Sequence, residues 1–213
     1  MDIASTIFII AIVIFSAIIH EVMHGVAADY LGDKTARYAG RLTLNPVSHI
    51  DLFGSILLPL VLALSGSPIF FGYAKPVPYN PYNLRRDGLF GRFSEAIVAG
   101  AGPFSNAVIA IIGGLIIRSN VFAGANDIIF LITVINVMLC LFNLIPIPPL
   151  DGSKVLEAFL PRAWHYGYDR WRHTMERSPL IGMVIVVVIV YGLGSIWSSA
   201  IYSLASAIAG ISS

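Results

Sequence analysis

IASTIFIIAIVIFSAIIHEVMH, residues 3–24, is an unbroken apolar run up to Ile19 that ends in two histidines and a glutamate. About 20 consecutive apolar residues cross 30 Å of hydrocarbon as a helix, so residues 3–28 are expected to span a membrane with His20-Glu21-Val22-Met23-His24 inside the span. On a helix, residues four apart share a face, so His20 and His24 can turn imidazole nitrogens toward one ion. Glu21, about 100° round the axis, can reach water beside that ion. Two imidazoles and a carboxylate in hydrocarbon cost several kcal/mol unless they pair or bind something. A metal site satisfies them, and so does a polar cluster without metal.

Working outward, the whole chain reads the same way. Of its 213 residues 57% are hydrophobic and 12% charged, whereas soluble domains carry about 25% charged residues, which makes this an integral membrane protein. The net charge is +1, and no basic stretch is interleaved with stacking aromatics, so a nucleic-acid partner is excluded. Cys140 is the only cysteine; it can form no intrachain disulfide and reads as a small packing group. The N-terminus lacks the basic region of a signal peptide and runs straight into the metal motif, so it is expected to be retained.

Four stretches are long enough to cross a bilayer: residues 3–28, 94–117, 128–147 and 180–201. A fifth, 52–64, is shorter and contains Gly54 and Pro59; it suits a re-entrant segment, although extension to Phe71 allows a crossing. If 52–71 returns to the side it entered, every Lys and Arg except Arg118 falls on the cytoplasmic side, the pattern that membrane loops favour, with the N-terminus outside. The expected fold is an all-α polytopic membrane protein of about four to six transmembrane helices, with a re-entrant or extended hairpin region between the first helix and a central core helix. As a single membrane domain, 1–213, it divides into a metal-motif helix 3–28, a hairpin or re-entrant region 33–83, a core helix 94–117, a segment 128–160, an interfacial segment 161–178 and a C-terminal helix 179–205. Gly100, Gly102, Gly113 and Gly114 suit close helix packing. Trp164, Tyr166, Tyr168 and Trp171 alternate with Arg162, Arg170, Arg172 and Arg177, as in a helix lying on an anionic cytoplasmic leaflet.

A catalytic metal needs a third protein ligand from the same depth. Asp151 qualifies: it ends the run Asn143-Leu144-Ile145-Pro146-Ile147-Pro148-Pro149-Leu150-Asp151-Gly152, whose prolines interrupt the helix. Irregular backbone at membrane depth is tolerated only inside protein or beside a cavity. Asp151 can also simply cap the helix that follows, and the two roles are compatible.

These motifs together resemble the site-2 proteases, intramembrane zinc metalloproteases. The resemblance rests on His20, Glu21 and His24 in a membrane helix and on the Asn143–Gly152 run. Gly102-Pro103-Phe104-Ser105-Asn106 in the core helix adds to it, as do Arg41-Leu42-Thr43-Leu44-Asn45-Pro46, His49-Ile50-Asp51 and Phe71-Gly72-Tyr73-Ala74-Lys75-Pro76-Val77-Pro78. It extends over about residues 3–160 and leaves no stretch for the PDZ or CBS modules of some relatives.

The resemblance implies one catalytic Zn²⁺ held by His20, His24 and Asp151 with a fourth position for water, Glu21 as general base, and Asn143 donating to the developing oxyanion. Asn106 would act similarly or brace the substrate, or else only join two helices. Zinc lowers the pKa of water it holds from 15.7 to about 7, so attack is possible at neutral pH. The implied substrate is another protein's transmembrane helix, such as a membrane-anchored anti-sigma factor or other regulator, in a bacterial or archaeal plasma membrane, with the site toward the cytoplasm. An unwound substrate needs an extended docking edge; residues 35–45, with alternating character, and 71–82, rich in proline, are the candidates. His49 and Asp51 are read as caps rather than ligands. A catalytically silent scaffold or chaperone would not need Glu21, and a metal transporter needs ionisable residues along its path, which 128–150 and 180–213 lack.

Overall fold

In the computed structural model the described residues are 3–51, 75–87, 91–178, 184, 188, 192 and 194–211. Among them are seven helices and no strand: α1 Ile3–Tyr30, α2 Thr35–Tyr38, α3 Ser94–Ser119, α4 Asn126–Asn143, α5 Asp151–Phe159, α6 Arg162–Arg177 and α7 Gly194–Ala209. The chain divides into two compact units, Met1–Leu84 and Arg85–Ser213. The segment 52–71 lies outside the described residues, as does most of 179–193.

In the first unit, α1 is rich in Ile and Val, residues that favour helices only weakly in water. In hydrocarbon a helix is one of few ways to satisfy every backbone group within one segment, and that requirement prevails. Gly32, at φ 111°, reverses the chain, with the Asp33 N–H donating to Ala28 C=O (2.9 Å) and the Gly32 N–H to Asp29 C=O (3.2 Å). Residues 35–45, expected as a hairpin edge, instead begin with the single helical turn α2. Asp33 Oδ1 accepts from both the backbone N–H and the hydroxyl of Thr35, starting that turn, and Gly40 at φ 64° ends it. Local capping thus overrides the alternation of side chains.

The second unit is built on α3, which packs against α4, α5 and α7. Ala110, Val137, Ile201 and Ala205 form its core where α3, α4 and α7 meet, with Met138, Leu141 and Trp197 around them. A methyl on Gly113 would overlap Thr133 Oγ1, and one on Gly114 the Ile208 carbonyl, so both glycines set the helix spacing. Phe104, Ile111, Ile112 and Leu115 are exposed on α3, the reverse of a helix meant for water. The helix stops at Asn120, which takes a left-handed φ of 54°. Arg118 in its last turn donates to the Ile208 and Ala207 carbonyls, capping the end of α7. Among the described residues, three helical stretches are long and apolar enough to cross a membrane: Ser5–Tyr30, Ser94–Ser119 and Ala123–Asn143.

Candidate metal centre

Helical periodicity does the first part of the assembly. His20 and His24, one turn apart on α1, are both buried, with ring centroids 4.6 Å apart and planes at 85°. Glu21 joins them: the ligand atoms of His20, Glu21 and His24 all lie within 4.8 Å of one another. Two imidazoles and a carboxylate so placed fit a borderline ion with nitrogen and oxygen preferences, zinc foremost.

What orients Glu21 comes from far along the sequence. Its Oε2 accepts the backbone N–H of Val77 at 3.0 Å. Val77 belongs to an extended stretch, 75–80, that the rest of the first unit fixes at each end. The Lys75 N–H donates to His49 C=O (2.9 Å), and Arg41 Nη2 donates to the carbonyls of Lys75 (2.8 Å) and Pro76 (3.3 Å). At the other end Asp33 Oδ2 accepts the Asn80 N–H at 2.7 Å and Oδ1 accepts Asn83 Nδ2 at 3.0 Å. Burial raises the pKa of the Asp33 carboxyl, but its hydrogen bonds from Thr35, Asn83 and Asn80 outweigh this and hold it below the usual range. His49 is buried and its Nε2 lies 2.8 Å from Thr43 C=O, a loop-bracing role rather than a ligand's. Gly25, one residue past His24, has no side chain because Leu42, Val77 and Ala36 press on it.

This frame also alters the docking-edge expectation. The N–H groups of Lys75, Val77 and Asn80 are engaged and Pro76 and Pro78 have none, so 75–80 has few donors left for an added strand.

In the second unit, Asp151 is the first residue of α5, after a tight loop in which the Ile147 N–H donates to Ile145 C=O (2.8 Å) and the Leu150 N–H to Ile147 C=O (3.0 Å). Gly152 follows, packed so closely on the Leu144 and Ile145 carbonyls that any side chain would collide with backbone. Ser153 Oγ donates to Leu150 C=O at 2.7 Å, closing the turn. Asn143 ends α4, and one amide hydrogen goes to Leu139 C=O at 2.9 Å. Asn106 is fully buried in α3 and donates to Asn136 Oδ1 of α4 at 2.9 Å, an interhelical bond. The structure thus brings His20, Glu21 and His24 together within the first unit, and sets Asp151, Asn143 and Asn106 on three helices of the second.

Arg172, expected among basic residues facing a leaflet, is instead 5% exposed and surrounded by carboxylates. Its Nε lies 2.7 Å from Glu157 of α5, its Nη1 3.0 Å from Glu176 and 3.6 Å from Glu95 of α3, and its Nη2 3.3 Å from Asp169. Burial pushes the Glu157 carboxyl above its usual pKa, against the pull of the Arg172 guanidinium. Asp33 and Gly25 are residues around the metal motif that sequence reasoning did not single out, while Arg41 and Val77 lay in stretches it quoted without giving either a role. One signal was available: Asp two residues before Thr, just after Gly, is the pattern of a local cap.

Comparison with known proteins fits this geometry. Peptidase family M50 matches residues 113–189, which include the Asn143–Gly152 run. The chain is 35% identical over 164 residues to "Putative zinc metalloprotease YwhC" of Bacillus subtilis, covering 72% of this chain and 69% of that protein. It is 31% identical over 160 residues to "Putative zinc metalloprotease Rip2" of Mycolicibacterium smegmatis, covering 72% of this chain and 58% of that protein. No solved structure matches. With three apolar helices of membrane-spanning length, this is a membrane protein. Its likeness to YwhC over more than two thirds of that protein, and the family match across the Asp151 run, show that the chain belongs to peptidase family M50, the metalloproteases of the site-2 type.

Proposed function

We propose that the chain is a zinc-dependent endopeptidase that cuts a peptide bond within or near the transmembrane segment of another membrane protein. The observation that carries this is the His20–Glu21–His24 donor group, its atoms within 4.8 Å of one another, near the end of a membrane-length apolar helix. His20 and His24 would hold the ion through nitrogen and Asp151 through a carboxylate oxygen, leaving a fourth position open. When bound, zinc polarises the substrate carbonyl and brings the pKa of water to about 7. Glu21 takes the proton of the attacking water and passes it to the leaving amine. The Val77 N–H on Oε2 orients the carboxylate, leaving Oε1 for the proton. Asn143 donates to the developing oxyanion, and Asn106 braces the helices behind it.

A helical substrate must unwind before its peptide bond can be attacked, because helical hydrogen bonds shield the carbonyl. By resemblance to the site-2 proteases, the substrate proposed is a membrane-anchored regulator such as an anti-sigma factor. The enzyme would be a multi-pass protein of a bacterial or archaeal plasma membrane, with its site toward the cytoplasm, where the Lys and Arg residues collect.

The test compares membrane-protein fragments, by proteomics, from cells carrying the parent chain and cells carrying Glu21→Gln. The variant should retain zinc on metal analysis and lose cleavage by about 10²–10⁴-fold. An unchanged fragment set would overturn the mechanism.

A further inference from the structure

We propose that Tyr168 and Arg172 of α6 are positioning residues for the metal: they hold α5 at both ends and so fix the Asp151 carboxylate where it ligates. This rests on the reading of Asp151 as third ligand.

α5 has nine residues, too few to be a stable helix without tertiary support. Its first residue, Asp151, follows the proline-rich loop that leads out of α4. Yet a ligating carboxylate must be held within about 0.5 Å of its working position. Packing on α3 gives α5 its main support, and two contacts from α6 fix it further. Tyr168 O–H donates to the Ser153 carbonyl at 3.1 Å, in the first turn of α5 and two residues from Asp151. Arg172 reaches Glu157 in the last turn at 2.7 Å. Tyr168 and Arg172 are four residues apart on α6 and so share a face, which lies along α5 as a two-point clamp.

Arg172 also reaches Glu95 at 3.6 Å in the first turn of α3, so the clamp is referred to the central helix of the unit rather than to a loop. Asp169 and Glu176, one turn to either side of Arg172, hold the guanidinium from its own helix. A surface stabiliser would not bury an arginine among four carboxylates, two of which, Asp169 and Glu176, also lie beside His173. The arrangement makes sense as a fixed geometry between α3, α5 and α6, with Asp151 at the head of α5.

Groups that orient a metal ligand typically change metal affinity 10- to 100-fold when removed. The experiment is zinc affinity of the full-length protein in detergent, by competition with a chromophoric chelator, for the parent, Asp151→Ala, Arg172→Met, Tyr168→Phe and each clamp variant combined with Asp151→Ala. Arg172→Met should weaken zinc about 10- to 100-fold and Tyr168→Phe about fivefold, the worth of one hydrogen bond. In the Asp151→Ala background both effects should vanish, because the clamp acts only through that carboxylate. Should Arg172→Met fail to fold, Tyr168→Phe and its double variant carry the same test. Parent-like zinc affinity in the clamp variants, or losses that persist undiminished without Asp151, would overturn the proposal and leave α6 a general scaffold. If Asp151→Ala itself binds zinc like the parent, the third-ligand reading fails first, and that single variant identifies the failure.

Discussion

Asp33 in the first unit and Glu157 in the second are both carboxylates shielded from water beside the elements of the site, and they are held in opposite ways. Asp33 accepts directed hydrogen bonds from the Asn80 N–H, the Asn83 amide and both donors of Thr35, which keep it ionised. Glu157 is matched by a single guanidinium that it shares with Glu95, Asp169 and Glu176, and burial raises its pKa. The first unit orients the Glu21 carboxylate through hydrogen bonds to backbone, relayed from Asp33 and Arg41 through 75–80 to Val77 and Glu21. The second positions Asp151 by packing backbone on backbone and by a charge cluster. Hydrogen bonds set direction; packed backbone sets position and tolerates no intrusion.

The largest expected difference between the units is therefore steric. At Gly25 a methyl would meet the tips of Leu42 and Val77, which can swing aside, so Gly25→Ala should cost about 1 kcal/mol. At Gly152 it would meet the Leu144 and Ile145 backbone, which cannot yield without opening the loop; Gly152→Ala should cost about 3 kcal/mol and lower zinc retention with it. Thermal unfolding in detergent with metal analysis checks both. Equal costs at the two positions would remove the contrast between side-chain and backbone packing.

Next in size is the response to pH, where the two carboxylates should pull in opposite directions. With its pKa lowered by folding, Asp33 contributes stability that is present above about pH 4, its unfolded value, and is lost as pH falls through the folded one. With its pKa raised, Glu157 contributes stability that is full below about pH 4.3 and is lost as pH rises through the folded value. Hydrogen exchange on peptides covering 75–84 and 153–160 separates them. Protection of the first should fall below about pH 4, while protection of the second should rise on acidification from neutral pH. Asp33→Asn should remove the first dependence and, by leaving the Asn80 N–H without an acceptor, cost about 1–3 kcal/mol. Glu157→Gln should flatten the second. Parallel pH responses in the two peptides would mean that one mechanism holds both carboxylates.

The same contrast explains what could be read in the sequence. His20, Glu21 and His24 were legible because a regular helix converts spacing directly into geometry, and α3 was legible from its apolar length. The Glu21–Val77 and Arg41–Lys75 bonds join residues 56 and 34 apart, distances over which no local pattern operates. Residues 35–45 misled because alternation was visible while the cap that overrides it, Asp33, lay just outside the window. Arg172 looked like its neighbours Arg170 and Arg177; only Asp169 and Glu176, one turn before and after it, hinted at burial, and Glu95 and Glu157 come from other helices. Among the described residues the fold was legible where α1 and α3 run long; the support of the site was not, because it is made of pairings between segments.

The smallest expected effect decides where the second unit's own hydrogen bonds stand. Asn106 donates to Asn136, which in turn donates to the Ile132 carbonyl at 2.9 Å, so the pair is anchored to one helix and reaches across to another. Interhelical bonds of this kind are worth about 0.6 kcal/mol on average in membranes. If Asn106 only braces α3 against α4, Asn106→Leu should lower stability by about that amount and leave cleavage of a reconstituted substrate within about threefold of the parent. A loss of about 100-fold or more in cleavage, with zinc affinity and melting unchanged, would instead place its amide at the substrate. In that case the second unit, like the first, would use directed hydrogen bonds at the reacting groups, and its charge cluster would be confined to holding the helices apart from them.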